Sequence, residues 1–247
     1  MNNLDLNRVC DFVNENIQLF HQARLERLGS LNLKEILKKK NPYLFRAKNI
    51  TTAPELIQGL MDAFISSSEE KMFGDFLEGL AIFVCSEVFG GRKSATSGID
   101  LEFETEEHKY LVSIKSGPNW GNSGQYAALE RNFKTALAVL SQSRQVKSPQ
   151  AILGTCYGKR KTKDYGLYKK IEGQSFWFFI SGNPNLYTDI IEPVSYRAKE
   201  HNEAYNREKT RIYHLFTQQF LNEFSTDGTI DWNKLVQFNS GNLKEQK

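Results

Sequence analysis

Between Gly98 and Ser116 the chain reads GIDLEFETEEHKYLVSIKS. Apolar and polar residues alternate in two segments that flank a polar stretch, Glu106-Glu107-His108-Lys109. Alternation with a period of two is the signature of strands with one face buried, and the polar break predicts a hairpin turn between them. Asp100 and Glu102 fall on one face of the first strand, Leu101 and Phe103 on the other. On the second strand Val112 and Ile114 face one way, Ser113 and Lys115 the other. A hairpin turning near residues 105–108 places position 100 roughly across from position 113. Asp100, Ser113 and Lys115 then converge at one end of the sheet.

The flanking segments carry the helical period. Val9, Val13, Ile17 and Phe20 recur at helical spacing, followed by Leu25, Leu28, Leu31 and Leu33 before Asn41-Pro42 breaks the chain. Thr51-Thr52-Ala53-Pro54 opens another helix, and Ser66-Ser67-Ser68-Glu69 predicts the start of a further one that ends at Gly90-Gly91. After the hairpin and the loop at 117–121, Asn122-Ser123 offers an N-cap to a helix across 124–145, with Tyr126, Leu129, Phe133, Leu137 and Leu140 as its buried stripe. AILGTCYG and SFWFFISG (175–182) read as buried strands, and 196–224 as a long polar helix. This order predicts an α/β fold with a central sheet flanked by helices. Residues 1–65 are expected to form an N-terminal helical region, part of the same domain as a core and C-terminal helices over 66–239. Residues 240–247 are expected to be a disordered tail.

Cysteine and histidine usage narrows the chemistry. Cys10, Cys85 and Cys156 are far apart and odd in number, and His21, His108, His201 and His214 show no ligand spacing. Zinc and other transition-metal sites are disfavoured, whereas a site made of oxygen ligands stays open. With no basic-then-apolar leader and no run of about 18 apolar residues, a cytoplasmic location without a membrane partner is expected. Net charge is only +3, but its distribution is uneven. Residues 68–107 hold ten acidic side chains against three basic, and 144–170 hold eight basic against one acidic, including Lys159-Arg160-Lys161. Such a run is either a solvated loop or a surface that tracks phosphates.

An acidic side chain and a lysine on adjacent strands suit phosphodiester hydrolysis. The reaction needs a hard divalent cation on a phosphate oxygen, an oriented water, and positive charge to offset the crowded phosphorus. Carboxylates hold the cation and lysine supplies a compact charge. The Ile114 carbonyl is a further candidate ligand.

The pattern Asp100…Ser113-Ile114-Lys115 resembles the PD-(D/E)xK nuclease superfamily, to which most type II restriction endonucleases belong. In that family an aspartate opens one strand, a (D/E)xK tripeptide lies on the next, and the preceding helix often bears a glutamate, here Glu78 in GDFLEGLAIF. The resemblance covers residues 68–157 and implies a core of order αβββαβ. Gly98-Ile99 replaces the proline-bearing residues before the aspartate, and Ser113 replaces the acidic residue of the tripeptide. A subset of restriction enzymes carries SxK there and takes its second carboxylate from the following helix, where Glu130 stands here. The resemblance thus implies Mg²⁺ held by Asp100 and Glu130, with Glu102 as an alternative ligand, and Lys115 acting on the attacking water. It implies Ser113 shaping the site, a double-stranded DNA substrate, a homodimer that cuts both strands, and a partner DNA methyltransferase. Asn119, Trp120, Asn122, Ser123, Gln125, Lys159, Arg160 and Lys161 are the candidate DNA contacts.

Each residue also has a purely structural reading. Asp100 can cap a turn, Lys115 can snorkel to solvent, and Glu130 can pair with Lys134. Glu78 can bridge to Arg92 or Lys93, Trp120 can anchor its loop in the core, and Asn122 or Ser123 can cap a helix. Two other functions share the same residues: a repair or recombination nuclease, and a non-catalytic DNA-binding protein on a decayed nuclease scaffold, which Ser113 keeps open.

Overall fold

A computed structural model describes residues 2–141 and 148–242. The chain opens with α1 (Leu6–Gly29), α2 (Leu33–Lys39), α3 (Pro42–Ala47) and α4 (Ala53–Phe89). Strands β1 (Arg92–Lys93), β2 (Leu101–Glu104) and β3 (His108–Lys115) follow, then α5 (Ser123–Ser141), β4 (Ser148–Thr155), β5 (Lys163–Asp164) and β6 (Lys169–Glu172). Helices α6 (Gln174–Ser181), α7 (Leu186–Asp189), α8 (Ile191–Val194) and α9 (Ala198–Phe224) lead to the small hairpin β7 (Ser225–Thr226) and β8 (Thr229–Ile230) and to α10 (Trp232–Ser240).

Two compact units form, Met1–Phe20 with Phe73–Tyr196, and His21–Met72 with Arg197–Lys247. The first holds a six-stranded sheet of order β1-β2-β3-β4-β6-β5. Strands β1, β2 and β3 pair antiparallel, β3, β4 and β6 parallel, and β5 antiparallel to β6. This is the mixed α/β sheet flanked by helices that the sequence predicts. One face packs Leu101, Phe103, Val112, Ile114 and Ile152 against Val13 and Ile17 of α1, Leu80 and Val84 of α4, and Phe176 and Ile180 of α6. The other packs Leu111, Ala151 and Leu153 under Leu129, Phe133 and Ala136 of α5. The second unit has its own core, in which Leu56, Ile57 and Met61 meet Ile212, Phe216 and Phe220.

The hairpin has the predicted register, with Leu101 opposite Val112, so position 100 comes opposite 113. Helix α4 ends at the predicted glycines: Gly90 adopts φ 67°, and the Gly91 amide donates to the Cys85 carbonyl at 3.2 Å. Other elements differ from expectation. No helix starts at Ser66, because α4 runs unbroken through it. The hydroxyls of Ser67 and Ser68 donate to the carbonyls of Ala63 and Phe64 instead of capping amides ahead of them. SFWFFIS is helix α6, not a strand. Its buried residues, Phe176, Trp177, Ile180 and Ser181, follow helical spacing, and Gly182 closes it in the left-handed conformation. The strand next to β4 is the charged segment KKIE of β6. Helix α10 extends through Ser240, and residues 243–247 of the expected tail lie outside the described residues, as do 142–147.

Candidate active site

Asp100 is fixed just before β2. Its amide donates to the Val112 carbonyl at 2.9 Å. Gly98 takes a positive φ of 75°, and a Cβ there would fall 1.9 Å from Asn132 Nδ2 on α5. A glycine therefore lets the approach to Asp100 turn tightly under α5.

Three donors converge on a single Asp100 oxygen, Oδ2: the Ile114 amide at 2.6 Å, the Ser113 hydroxyl at 3.2 Å and Lys115 Nζ at 3.3 Å. The carboxylate thus extends the β2–β3 ladder by one rung and also balances the lysine charge. Ser113 is buried, while Asp100 and Lys115 keep 19% and 29% of their side chains exposed. The site is therefore reachable from solvent. Lys115 Nζ also donates to the Ile114 carbonyl at 2.8 Å and lies 5.7 Å from the centre of the Trp120 ring.

Glu78 on α4 joins this group. Burial raises its carboxyl above the ordinary range, and the Asp100 charge raises it further; Lys93 and Lys115 oppose the shift. An ion pair of 3.6 Å to Lys93 matches one structural reading of Glu78. Glu102 is held elsewhere along β2, between Arg92 Nε at 2.8 Å and Lys109 Nζ at 3.6 Å. Glu130 is exposed on α5, and its charge bears on Tyr168. Among the described residues no ion pair joins Glu130 to Lys134 or to Lys115.

The DNA-contact candidates divide. Asn122 and Gln125 form a reciprocal cap on α5: the Gln125 amide donates to Asn122 Oδ1 at 3.1 Å, and the Asn122 amide donates to Gln125 Oε1 at 2.9 Å. Ser123 and Asn119 are exposed. Trp120 packs beside Tyr126 with ring centres 4.8 Å apart, against the α5 face of the core. Lys159, Arg160 and Lys161 are exposed on the loop after β4. The Cys156 amide donates to the Lys115 carbonyl and the Tyr157 amide to the Ser116 carbonyl, so this basic loop leaves the sheet at the end where Lys115 stands. Sequence reasoning missed Lys170 and Glu172, a buried ion pair on β6 at the same end. Lys170 fell at the end of the basic run 144–170, which reads as either a solvated loop or a phosphate-tracking surface, and Glu172 lay just beyond it.

Among the described residues no group of three or more histidine, cysteine or acidic side chains converges as a metal cluster. Oxygen donors do stand in this region: Asp100 Oδ2 and the Ile114 carbonyl both accept from Lys115 Nζ, and Glu78 is near enough for the Asp100 charge to act on its carboxyl. The Glu78 carboxyl is raised first by burial and then by the Asp100 charge, and a cation held by the two carboxylates would relieve the second effect. Mg²⁺ commonly takes one or two carboxylates and keeps waters or phosphate oxygens, so this donor set fits it.

No curated protein matches the chain. No helix among the described residues is long and apolar enough to cross a membrane. The family model for Type II restriction endonuclease EcoO109I matches residues 7–202, more than three quarters of the sequence. That span runs from α1 through the hairpin, the lysine strand and the basic loop to the start of α9, and the chain belongs to the EcoO109I family of type II restriction endonucleases.

Proposed function

We propose that the protein hydrolyses phosphodiester bonds of double-stranded DNA at a short specific sequence, with Mg²⁺ at the end of β3. The observation that carries this reading is the pairing of the Asp100 carboxylate with Lys115 Nζ at 3.3 Å, in a partly open site where Glu78 already feels Asp100. Mg²⁺, when bound, supplies Lewis-acid polarisation of the scissile phosphate and a more acidic water.

The protein's own residues do the rest. Asp100 and Glu78 provide the negative charge that receives the cation, and the Ile114 carbonyl adds an oxygen donor. Glu130, the second carboxylate that the resemblance implies, competes with Glu78 for that place, and its alternative Glu102 is less suited because two cations already hold it. In this reading Lys115 turns from the Ile114 carbonyl toward a phosphate oxygen or the attacking water. There its charge offsets the negative charge that builds on phosphorus. Ser113 holds the Asp100 carboxylate in place. Comparing cleavage by Glu78→Gln, Glu130→Gln and Glu102→Gln assigns the second carboxylate, because the true ligand loses far more activity than the other two.

Two copies acting together would cut both strands of a two-fold symmetric site, and a methyltransferase of the same specificity would protect the host DNA. The direct test incubates the protein with plasmid and genomic DNA, with Mg²⁺ and with EDTA, and sequences the ends. Discrete fragments sharing one terminal sequence support the reading. Structure-selective nicking would support a repair nuclease instead. The Ser113 hydroxyl, standing where the resembling family carries an acid, favours a second reading as a non-catalytic DNA-binding protein. Binding without cleavage under all conditions would support it.

A further inference from the structure

Lys170 and Glu172 lie on β6 with their side chains almost wholly buried, 7% and 2% exposed, and Lys170 Nζ stands 2.9 Å from Glu172 Oε1. Burying an ion pair costs several kcal/mol per charge, and an apolar pair of similar volume is often at least as stable. Core filling alone is thus a weak reason for charges here. Parallel register places Thr155 beside both Lys115 and Glu172, and Leu153 beside both Ser113 and Lys170. Residues paired across a parallel ladder share a face, so the buried pair lies on the same face and at the same end of the sheet as Lys115.

Its remaining contacts reach the two loops that flank Lys115. Lys170 Nζ donates to the Pro118 carbonyl at 3.3 Å, in the loop that carries Asn119 and Trp120. Glu172 Oε2 accepts the Arg160 amide at 3.2 Å, in the loop that carries the basic cluster. The backbone is shaped to allow this. Gly158 has φ 137°, and a Cβ there would lie 2.5 Å from Glu172 Oε2. At Gly173 a Cβ would lie 2.2 Å from the Gly158 carbonyl oxygen.

The geometry points to Lys170 and Glu172 as positioning residues: one buried ion pair braces the 117–121 loop and the 157–163 loop against each other, fixing the spacing of the duplex-DNA contacts on either side of Lys115. This inference rests on the DNA-cleaving reading above. The brace itself can be measured without DNA.

The experiment uses the full chain as wild type, as Glu172→Gln, and as the apolar double variant Lys170→Met/Glu172→Met. The double variant leaves no unpaired charge if the single one fails to fold. Amide hydrogen exchange is followed across the molecule, and binding of a duplex oligonucleotide is followed by anisotropy. In the folded variants, exchange over 117–121 and 157–163 is expected to rise about tenfold or more, the scale of losing a hydrogen bond to a charged group, while β3 and β4 stay protected. Duplex affinity should fall about tenfold, and in cleavage KM should rise by more than kcat falls. Unchanged exchange in these loops overturns the brace, whatever the wild type does to DNA. Loosened loops with unchanged duplex binding overturn their role in contacting DNA. A wild type that cuts no DNA with Mg²⁺ fails the functional reading instead, and the exchange result still decides the brace.

Discussion

Asp100 holds a structural place in the hairpin and, in the proposed mechanism, a chemical one. Its Oδ2 accepts the Ile114 amide and the Ser113 hydroxyl, and an asparagine oxygen can accept the same two donors. Asp100→Asn should therefore fold with little loss of Tm while cleavage falls about 100-fold or more, the scale of removing one charged partner from a transition state. Loss of folding by circular dichroism would show that the charge itself holds the strand end. Glu78 gives a prediction with a definite sign. Burial and the Asp100 charge raise its carboxyl in the folded chain, so folding favours the protonated form. That contribution is complete below the unfolded value, near pH 4, and is lost as pH rises through the folded one. Glu78→Gln removes the loss. Without Mg²⁺ its Tm should exceed that of the wild type increasingly as pH rises, with the gap closing at acid pH. A gap independent of pH would contradict the coupling. The identities of Asp100, Ser113 and Lys115 were legible because the hairpin period fixes their face and the turn fixes their register. Glu78 was named from the resemblance alone, because nothing in the residue pattern fixes how α4 packs against the sheet.

At the scale of elements, legibility followed the amount of pattern each segment carries. The hairpin alternates cleanly, and α5 announces itself with a cap and an apolar stripe. Segment SFWFFIS defeated the same logic. Its buried positions have helical spacing, yet the exposed Phe178 and the half-buried Phe179 are as apolar as the buried Phe176, so composition hides the period. Strand β6 was hidden in the opposite way, since two of its three buried side chains are a lysine and a glutamate, paired as ions at 2.9 Å. Two substitutions test these elements. A Cβ at Gly154 of β4 would lie 2.2 Å from the Phe176 ring of α6. Gly154→Ala should then cost about 1–3 kcal/mol in chemical denaturation; a neutral result would mean that α6 does not pack there. Asn122→Ala removes one half of the α5 cap and should cost about 1 kcal/mol with duplex affinity retained. Loss of affinity without loss of stability would return Asn122 to the DNA contacts.

The molecule as a whole shows a charge order that net charge conceals. Within the first unit, the turn end of the β2–β3 hairpin carries Glu104, Glu106 and Glu107 around a surface cavity that also includes Asn2, Phe89 and His108. The opposite end carries Lys115 and the exposed basic loop at 159–161. A polyanion is drawn toward the second end and repelled from the first, which matches where Asp100 and Lys115 stand. The division into two units left no mark in the sequence. Each unit is assembled from two distant stretches, and α1 and α4 each contribute residues to both. No loop rich in glycine or proline marks a boundary for a reader of sequence alone.

The most direct measurement compares the wild type with Lys115→Ala, purified in the same way, on plasmid DNA with Mg²⁺ and with EDTA. The account predicts discrete fragments from the wild type with Mg²⁺ alone, and from the variant a rate lower by about 100-fold or more with the fold unchanged by circular dichroism. Equal cleavage by both proteins, or cleavage undiminished by EDTA, would contradict a Mg²⁺-dependent site built on Lys115.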